Sequence, residues 1–245
     1  MNFVSLFLGA CTVLLATALG AAGVLGFRTM GRRCYASFIA FCAGAMGFSA
    51  LEMISQSHAL TGHRLTGMSL LTGMVAILAL DKLLPHAHMI VMGSGISGAK
   101  RKVAVLVGTI TIHNIPEGFA IAAAFATSSS LGWLVTLSIA LQDIPEGLIV
   151  AAPVACYGET TKRSFLWGVF SGMVEFLAAI VGFLFLRIAS DVTPFALGFS
   201  GGAMVYVVLA HLLPDAMQAE SRYAALTALI AGIAVAWGLS MLIGL

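Results

Sequence analysis

The sequence predicts an all-α membrane protein of eight transmembrane helices, and three observations carry that prediction. Of 245 residues, 60% are hydrophobic and 9% charged, against roughly 25% charged in a soluble domain. Mean hydropathy is +1.04. The apolar residues fall into eight runs near 2–26, 34–55, 67–86, 103–127, 131–156, 164–186, 194–217 and 223–244, each close to the ~20 residues needed to cross a bilayer core of about 30 Å. Basic residues also gather in alternate connections. Arg28, Arg32, Arg33, Lys100, Arg101, Lys102, Lys162, Arg163 and Arg222 share one side, and only Arg64 and Arg187 share the other. The positive-inside rule then places both termini outside.

The first run lacks a basic leader and a small-residue cleavage site, so it reads as a retained helix. The second holds Met46 and Glu52, and the connection after it holds His58 and His63. At the inner end of the third are Asp81, Lys82, an L-L-P step at 83–85, His86 and His88; Lys82 can snorkel to the interface. The fourth contains H-N-I-P-E-G at 113–118 and the fifth its echo, Q-D-I-P-E-G at 142–147. Glu175 stands in the sixth, while the seventh ends in His211, a second L-L-P step at 212–214 and Asp215. With no long linker between runs, residues 1–245 form a single polytopic membrane domain. Cys11, Cys34, Cys42 and Cys156 have no C-x-x-C spacing and read as small packing residues.

Glu117, Asp143, Glu146 and Glu175 lie near the middle of their runs with no Lys or Arg at that depth. Each acid there costs roughly 2.5–3.5 kcal/mol to insert, so the group demands a partner. Two divalent cations would neutralise four carboxylates. A helix turns about 100° per residue, so Glu117 falls about 40° from His113 and Asn114 about 100° from it. Glu146 lies between Gln142 and Asp143 in the same way. A carboxylate flanked by one ligand on each side suits two adjacent metal ions that share it. Pro116 and Pro145 precede these glutamates and are expected to bend or open both helices, freeing the carbonyls of Ile112 and Leu141. Gly118 and Gly147 permit close approach of neighbouring backbone.

Residues 41–46, F-C-A-G-A-M, match 199–204, F-S-G-G-A-M, at an offset of 158. The two runs point in opposite directions, so this is the trace of an inverted repeat of the kind that flanks transporter sites.

These motifs resemble the ZIP (Zrt/Irt-like) divalent metal transporters, most closely the bacterial GufA-type branch, over essentially the whole chain. The resemblance implies an inverted repeat of helices 1–3 and 6–8 around bent helices 4 and 5. It also implies metal uptake toward the cytoplasm through a binuclear midmembrane site. On it, His113, Gln142, Glu117 and Glu146 look like one metal position, with Met46 nearby. Asn114, Asp143 and Glu175, with the shared glutamates, look like the second. Gln142 and Asp143 stand where many members carry His and Glu, and only His86 and His88 stand where many have a histidine-rich loop.

A route for the ion is expected along Glu52, His58 and His63 on the outer side and Asp81, His86, His88, His211 and Asp215 on the inner. The expected activity is alternating-access transport of Zn2+, or of Cd2+, Fe2+, Mn2+ or Co2+, since nitrogen and oxygen ligands hold all of these. The alternatives are a passive divalent cation channel and, lower, an intramembrane metal hydrolase, for which the sequence offers no H-E-x-x-H. The chain is not expected to be an enzyme. Its transported substrate is the metal, without an organic cofactor. Expected partners are divalent ions and the lipid of a cell membrane, in bacteria the inner one; a homodimer is allowed and no nucleic acid is expected.

Overall fold

A computed structural model describes the backbone of residues 2–26, 31–92, 98–156, 158–217 and 222–243, and their side chains except those of 32, 84–92, 98–106, 109 and 110. His86 and His88 therefore lie outside the described side chains. The elements in chain order are α1 (Phe3–Gly26), α2 (Arg32–Met92), α3 (Gly98–Thr127), α4 (Ser129–Cys156), α5 (Thr161–Ile188), a 3-10 turn (Ser190–Val192), α6 (Thr193–Val207), a π-helical turn (Val208–Leu212), α7 (Leu213–Met217) and α8 (Arg222–Ile243). No strand occurs among the described residues.

Six stretches of the described residues are long and apolar enough to cross a bilayer: Phe3–Gly26, Arg33–Leu83, Ser129–Cys156, Thr161–Ile188, Ser190–Met217 and Arg222–Ile243. The second of these, 51 residues long, is folded back at Gly62, where φ is 73° and ψ 178°. Only glycine adopts that conformation readily. The runs at 34–55 and 67–86 are thus two limbs of α2, and each stays helical well past the polar residue at which its apolar run stops. Thr61 Oγ1 donates to the Ser57 carbonyl at 2.8 Å and Thr66 Oγ1 to the Gly62 carbonyl at 2.9 Å. Hydroxyls bonded back into the helix in this way carry it up to the turn.

Helices α1, α3, α4 and α5 pack mainly on one another, and so do α2, α6 and α8. The outward faces of α5 and α8 expose Leu166, Phe170, Val181, Leu226, Ile230 and Trp237, an apolar exterior suited to lipid. At α5 the chain enters the helix through Thr160, whose hydroxyl accepts from Arg163 N at 3.3 Å, satisfying one of the orphan amides of a helix start.

Glycines set the closest helix contacts. A Cβ on Gly118 would strike the Glu175 carbonyl and sit 2.9 Å from Ala179 N; on Gly147 it would strike the Thr17 carbonyl and sit 2.9 Å from Ala21 N. On Gly73 it would meet the Phe199 carbonyl, with Ala203 N at 2.9 Å, and on Gly232 the Phe41 carbonyl, with Ala45 N at 3.0 Å. Backbone cannot retreat as a side chain can. Gly232→Ala is therefore expected to cost about 1–3 kcal/mol by overpacking, read as a lower melting temperature in detergent than the parent, whereas Gly238→Ala, which faces open space, should not lower it.

The proline expectation is corrected in one respect: α3 and α4 remain helical through Pro116 and Pro145, so neither helix opens there. Surrounding groups compensate the disturbed backbone, as a membrane helix requires. The Gln142 carbonyl, three residues before Pro145, accepts from Cys42 Sγ at 3.5 Å. The irregular stretch is instead the π-helical turn Val208–Leu212, which overlaps the second L-L-P step and carries His211.

Candidate metal centre

Helix α3 presents His113, Asn114 and Glu117, α4 presents Gln142, Asp143 and Glu146, and α5 presents Glu175. Glu117, Gln142, Asp143, Glu146 and Glu175 meet in the interior, and His113 and Asn114 precede Glu117 on α3. Asn114, Glu117, Gln142, Asp143 and Glu175 are 0–1% exposed and His113 is 5% exposed; Glu146 is half-buried. Carboxylate oxygens of Glu117, Asp143 and Glu146 lie within 4.8 Å of one another, and Glu175 interacts with Asp143 and Glu146. The close seam at Gly118 brings α3 against the Glu175 backbone of α5, while Gly147 sets α4 against Thr17 and Ala21 of α1.

The flanking residues point apart, as their helical spacing requires. Asn114 turns to α5, where its Nδ2 donates to the Ser171 carbonyl at 3.1 Å and contacts Ser171 Oγ at 3.2 Å. Glu117 stands between and accepts from Gln142 Nε2 at 2.6 Å. His113 turns the other way, toward Asp81 on α2, with Nε2 3.9 Å from Oδ1. Asp81 in turn lies 2.6 Å from His211 Nε2, and the His113 and His211 ring centroids are 4.8 Å apart. Ligand atoms of Asp81, His113 and His211 thus also lie within 4.8 Å of one another. His113 belongs to this second group and lies about one helical turn of α3 before Glu117 of the first.

Hydrogen bonding in the centre is incomplete. Among the described residues, the buried side-chain atoms without a partner are His113 Nε2, Asn114 Oδ1, Glu117 Oε2, Gln142 Oε1, Asp143 Oδ2, both oxygens of Glu175, and two hydroxyls elsewhere, of Thr136 and Ser200. An unpartnered buried polar atom costs about 1–3 kcal/mol, more when charged. Seven such atoms on the motif residues and Glu175 are ligands of the nitrogen and oxygen type that borderline divalent metals accept.

The remaining expected residues are dispersed. Met46 is 2% exposed in an apolar cluster with Ala120 and Ile121. Glu52 is half-buried, and Asp215 is exposed on α7. His58 and His63 are exposed on either side of the Gly62 turn. Sequence reasoning misses two neighbours of the centre. Cys42 reads there as packing, yet its thiol bonds the Gln142 carbonyl and interacts with Glu146, Glu117 and Asp143; its position four residues before Met46, on the same helix face, is the available signal. Tyr206 packs edge-on against His211 at 5.8 Å and interacts with Asp81, and nothing in its sequence context marks it.

Comparison with known proteins places these residues in a wider group. A family model described as ZIP Zinc transporter matches residues 92–240. The zinc transporter GufA of Myxococcus xanthus is 33% identical over 241 residues, covering 94% of this chain and 95% of the relative. The zinc transporter ZupT of Chlorobium luteolum is 34% identical over 244 residues, 90% of this chain and 91% of the relative. The zinc transporter ZIPB of Bordetella bronchiseptica is 33% identical over 254 residues, covering 97% and 81%.

Proposed function

The chain belongs to the ZIP zinc transporter family, a multi-pass membrane family of transporters and not of enzymes, and from that premise we propose that it moves Zn2+ toward the cytoplasm through a binuclear centre by alternating access. The observation that carries the proposal is the buried cluster of Glu117, Asp143 and Glu146 with Glu175 beside it, set among seven unpartnered buried polar atoms of the motif residues on α3, α4 and α5. One ion is held by His113, Gln142, Glu117 and Glu146, with Met46 close by; the other is held by Asn114, Asp143, Glu175 and the same two glutamates. Loading requires Gln142 to give up its hydrogen bond to Glu117, an exchange of one partner for another within the same cavity. Cd2+, Fe2+, Mn2+ and Co2+ compete for donors of this kind.

On the inner side, Asp81, His113 and His211 form the next station. His113 belongs to the central set and to this triad, so rotation of one imidazole transfers an ion between them without its returning to water. His211 sits on the π-helical turn, and such turns occur frequently at functional sites. Asp215, His86 and His88 then continue the route inward, with Glu52 on the outer approach.

The proposed architecture is a single membrane unit over residues 1–245, with the two limbs of α2 counted as separate spans, eight in all, and related by an inverted repeat. The glycine seams support it. Phe199 and Ala203, against Gly73, follow Phe41 and Ala45, against Gly232, by 158 positions; Glu175 and Ala179, against Gly118, follow Thr17 and Ala21, against Gly147, by the same 158. This is the offset of the 41–46 and 199–204 match. The partners recur at this one offset, while the glycines they face, Gly73 and Gly232 or Gly118 and Gly147, do not share it; a repeat of the partner helices of the kind found around transporter sites accounts for the recurrence.

The test is uptake of radiolabelled Zn2+ into proteoliposomes, with the other divalent ions as competitors. Uptake that saturates at micromolar metal is expected. Absence of metal flux under any gradient would refute transport, and flux that does not saturate would replace the carrier by a pore.

A further inference from the structure

Outside the centre, one pair of metal-capable side chains, expected only along the outer route, stands together at a turn. His58 and His63 flank the Gly62 turn, both exposed. Their rings lie 4.2 Å apart at the centroids, with His58 Nε2 2.8 Å from His63 Nδ1 and 3.5 Å from His63 Nε2. Two imidazole nitrogens on one tetrahedral zinc, at metal–nitrogen distances of 2.0–2.1 Å, stand about 3.3–3.4 Å apart. The Nε2 to Nε2 distance already matches that bite to within a few tenths of an ångström.

The turn holds the pair in place. Thr61 Oγ1 bonds the Ser57 carbonyl at 2.8 Å and lies 3.2 Å from Thr66 Oγ1. Thr66 Oγ1 bonds the Gly62 carbonyl at 2.9 Å, and Ser57 Oγ bonds the Pro194 carbonyl of α6 at 2.8 Å. Gly62 itself occupies a conformation open to glycine almost alone. The backbone carrying both histidines is thus fixed from two limbs of α2 and from α6. Pre-ordered ligands lose less freedom when they bind.

Depth separates this pair from the centre. His58 follows Cys42, which touches the centre, by 16 residues along the first limb of α2. At 1.5 Å per residue that is about 24 Å, beyond the roughly 15 Å from the midplane to the edge of the hydrocarbon core. The histidines therefore stand in the aqueous zone, and water supplies the ligands they do not.

We infer that His58 and His63 form a bis-imidazole site for a divalent transition metal at the Gly62 turn, distinct from the central site. The inference rests on the proposed transport only for the side of the membrane the site faces. With two protein ligands, it holds its ion weakly enough to release it, which suits a site that concentrates metal at the mouth of a carrier. Calcium and magnesium, which take oxygen ligands, should not occupy it.

The test uses the full chain with Glu117→Ala and Glu146→Ala, which empties the central site of its shared ligands, with His113→Ala and His211→Ala, which removes both imidazoles of the inner triad, and with Cu2+ as a spectroscopic probe. Electron paramagnetic resonance should show about one bound Cu2+ with coupling to two nitrogens, and because Cu2+ holds such ligands more tightly than Zn2+, only a large excess of Zn2+ should displace it. His58→Ala and His63→Ala should each reduce that signal at least tenfold without changing the melting temperature. In the otherwise unaltered chain, each should raise the metal concentration for half-maximal uptake several-fold and leave the maximal rate unchanged. Copper coupling that persists unchanged in both histidine variants would overturn the site. A melting temperature lowered by either variant, with the copper signal intact, would make the pair a hydrogen-bonded brace of the turn. Because copper binding is read without transport, the site can stand or fall even in a chain that fails to transport.

Discussion

Glu117→Ala and Glu146→Ala are each expected to abolish Zn2+ uptake, by two orders of magnitude or more, and to leave fewer than two ions bound per chain. Removing a residue that merely orients a metal ligand lowers metal affinity about 10–100-fold, and these two glutamates are proposed as direct ligands of both ions. Their placement supports that role. Glu117 stands between Asn114, turned to Ser171, and His113, turned to Asp81, while its own oxygens lie within 4.8 Å of ligand atoms of Asp143 and Glu146. Deleting it removes a charge and a bridge together. Glu175→Gln differs, because Glu175, which faces Asp143, Glu146 and Glu117 from α5, is proposed as a ligand of one ion only. That variant should keep one ion and transport slowly with altered selectivity. Elemental analysis beside uptake checks all three. Two ions in Glu117→Ala, or none in Glu175→Gln, would refute the bridging arrangement.

The angular order of these residues is legible in the sequence because it depends only on helical rotation. Asn114 and His113 differ by one residue and hence by about 100°, and they reach α5 and α2 respectively. Composition and the length of apolar runs likewise reveal a multi-pass helical protein. Which neighbour each face meets is not legible. Asp81 and His211 lie 130 positions apart, and similar depth groups them, but a helical wheel does not contain the partner helix that brings His113 against both. The limbs of α2 outrun their apolar segments for a related reason: hydropathy detects the bilayer, whereas Thr61 and Thr66 continue the helix beyond it by bonding the carbonyls of Ser57 and Gly62. Cys42 escapes notice because a cysteine in an apolar run looks like packing until a carbonyl such as that of Gln142 is seen opposite its thiol. A missing amide at Pro116 and at Pro145, taken alone, predicts helices that bend or open. The packed seams at Gly118 and Gly147, each against a neighbouring backbone, hold those helices in register instead.

A cross-link between α3 and α6 is expected to stop transport, while one between α3 and α5 should not. Phe119 offers both. Its ring lies 6.2 Å from that of Phe199 on α6 and 6.5 Å from that of Phe185 on α5, so two cysteine pairs of nearly equal reach share one member. Helices α1, α3, α4 and α5 pack chiefly among themselves, as do α2, α6 and α8, and alternating access is proposed as movement of the first group against the second. A Phe119→Cys, Phe199→Cys pair joined by a short bismaleimide ties the groups together; a Phe119→Cys, Phe185→Cys pair joins two members of one group. Packed helices slide or rock as rigid bodies, so only the first link opposes the motion. In a background with Cys11, Cys34, Cys42 and Cys156 replaced, uptake should fall at least tenfold on linking the first pair and recover fully in the same protein left unlinked. The second pair should transport at its unlinked rate after linking. Full uptake with the first pair demonstrably joined would refute movement between the groups, and equal loss in both would place the motion within the group that carries the ion ligands.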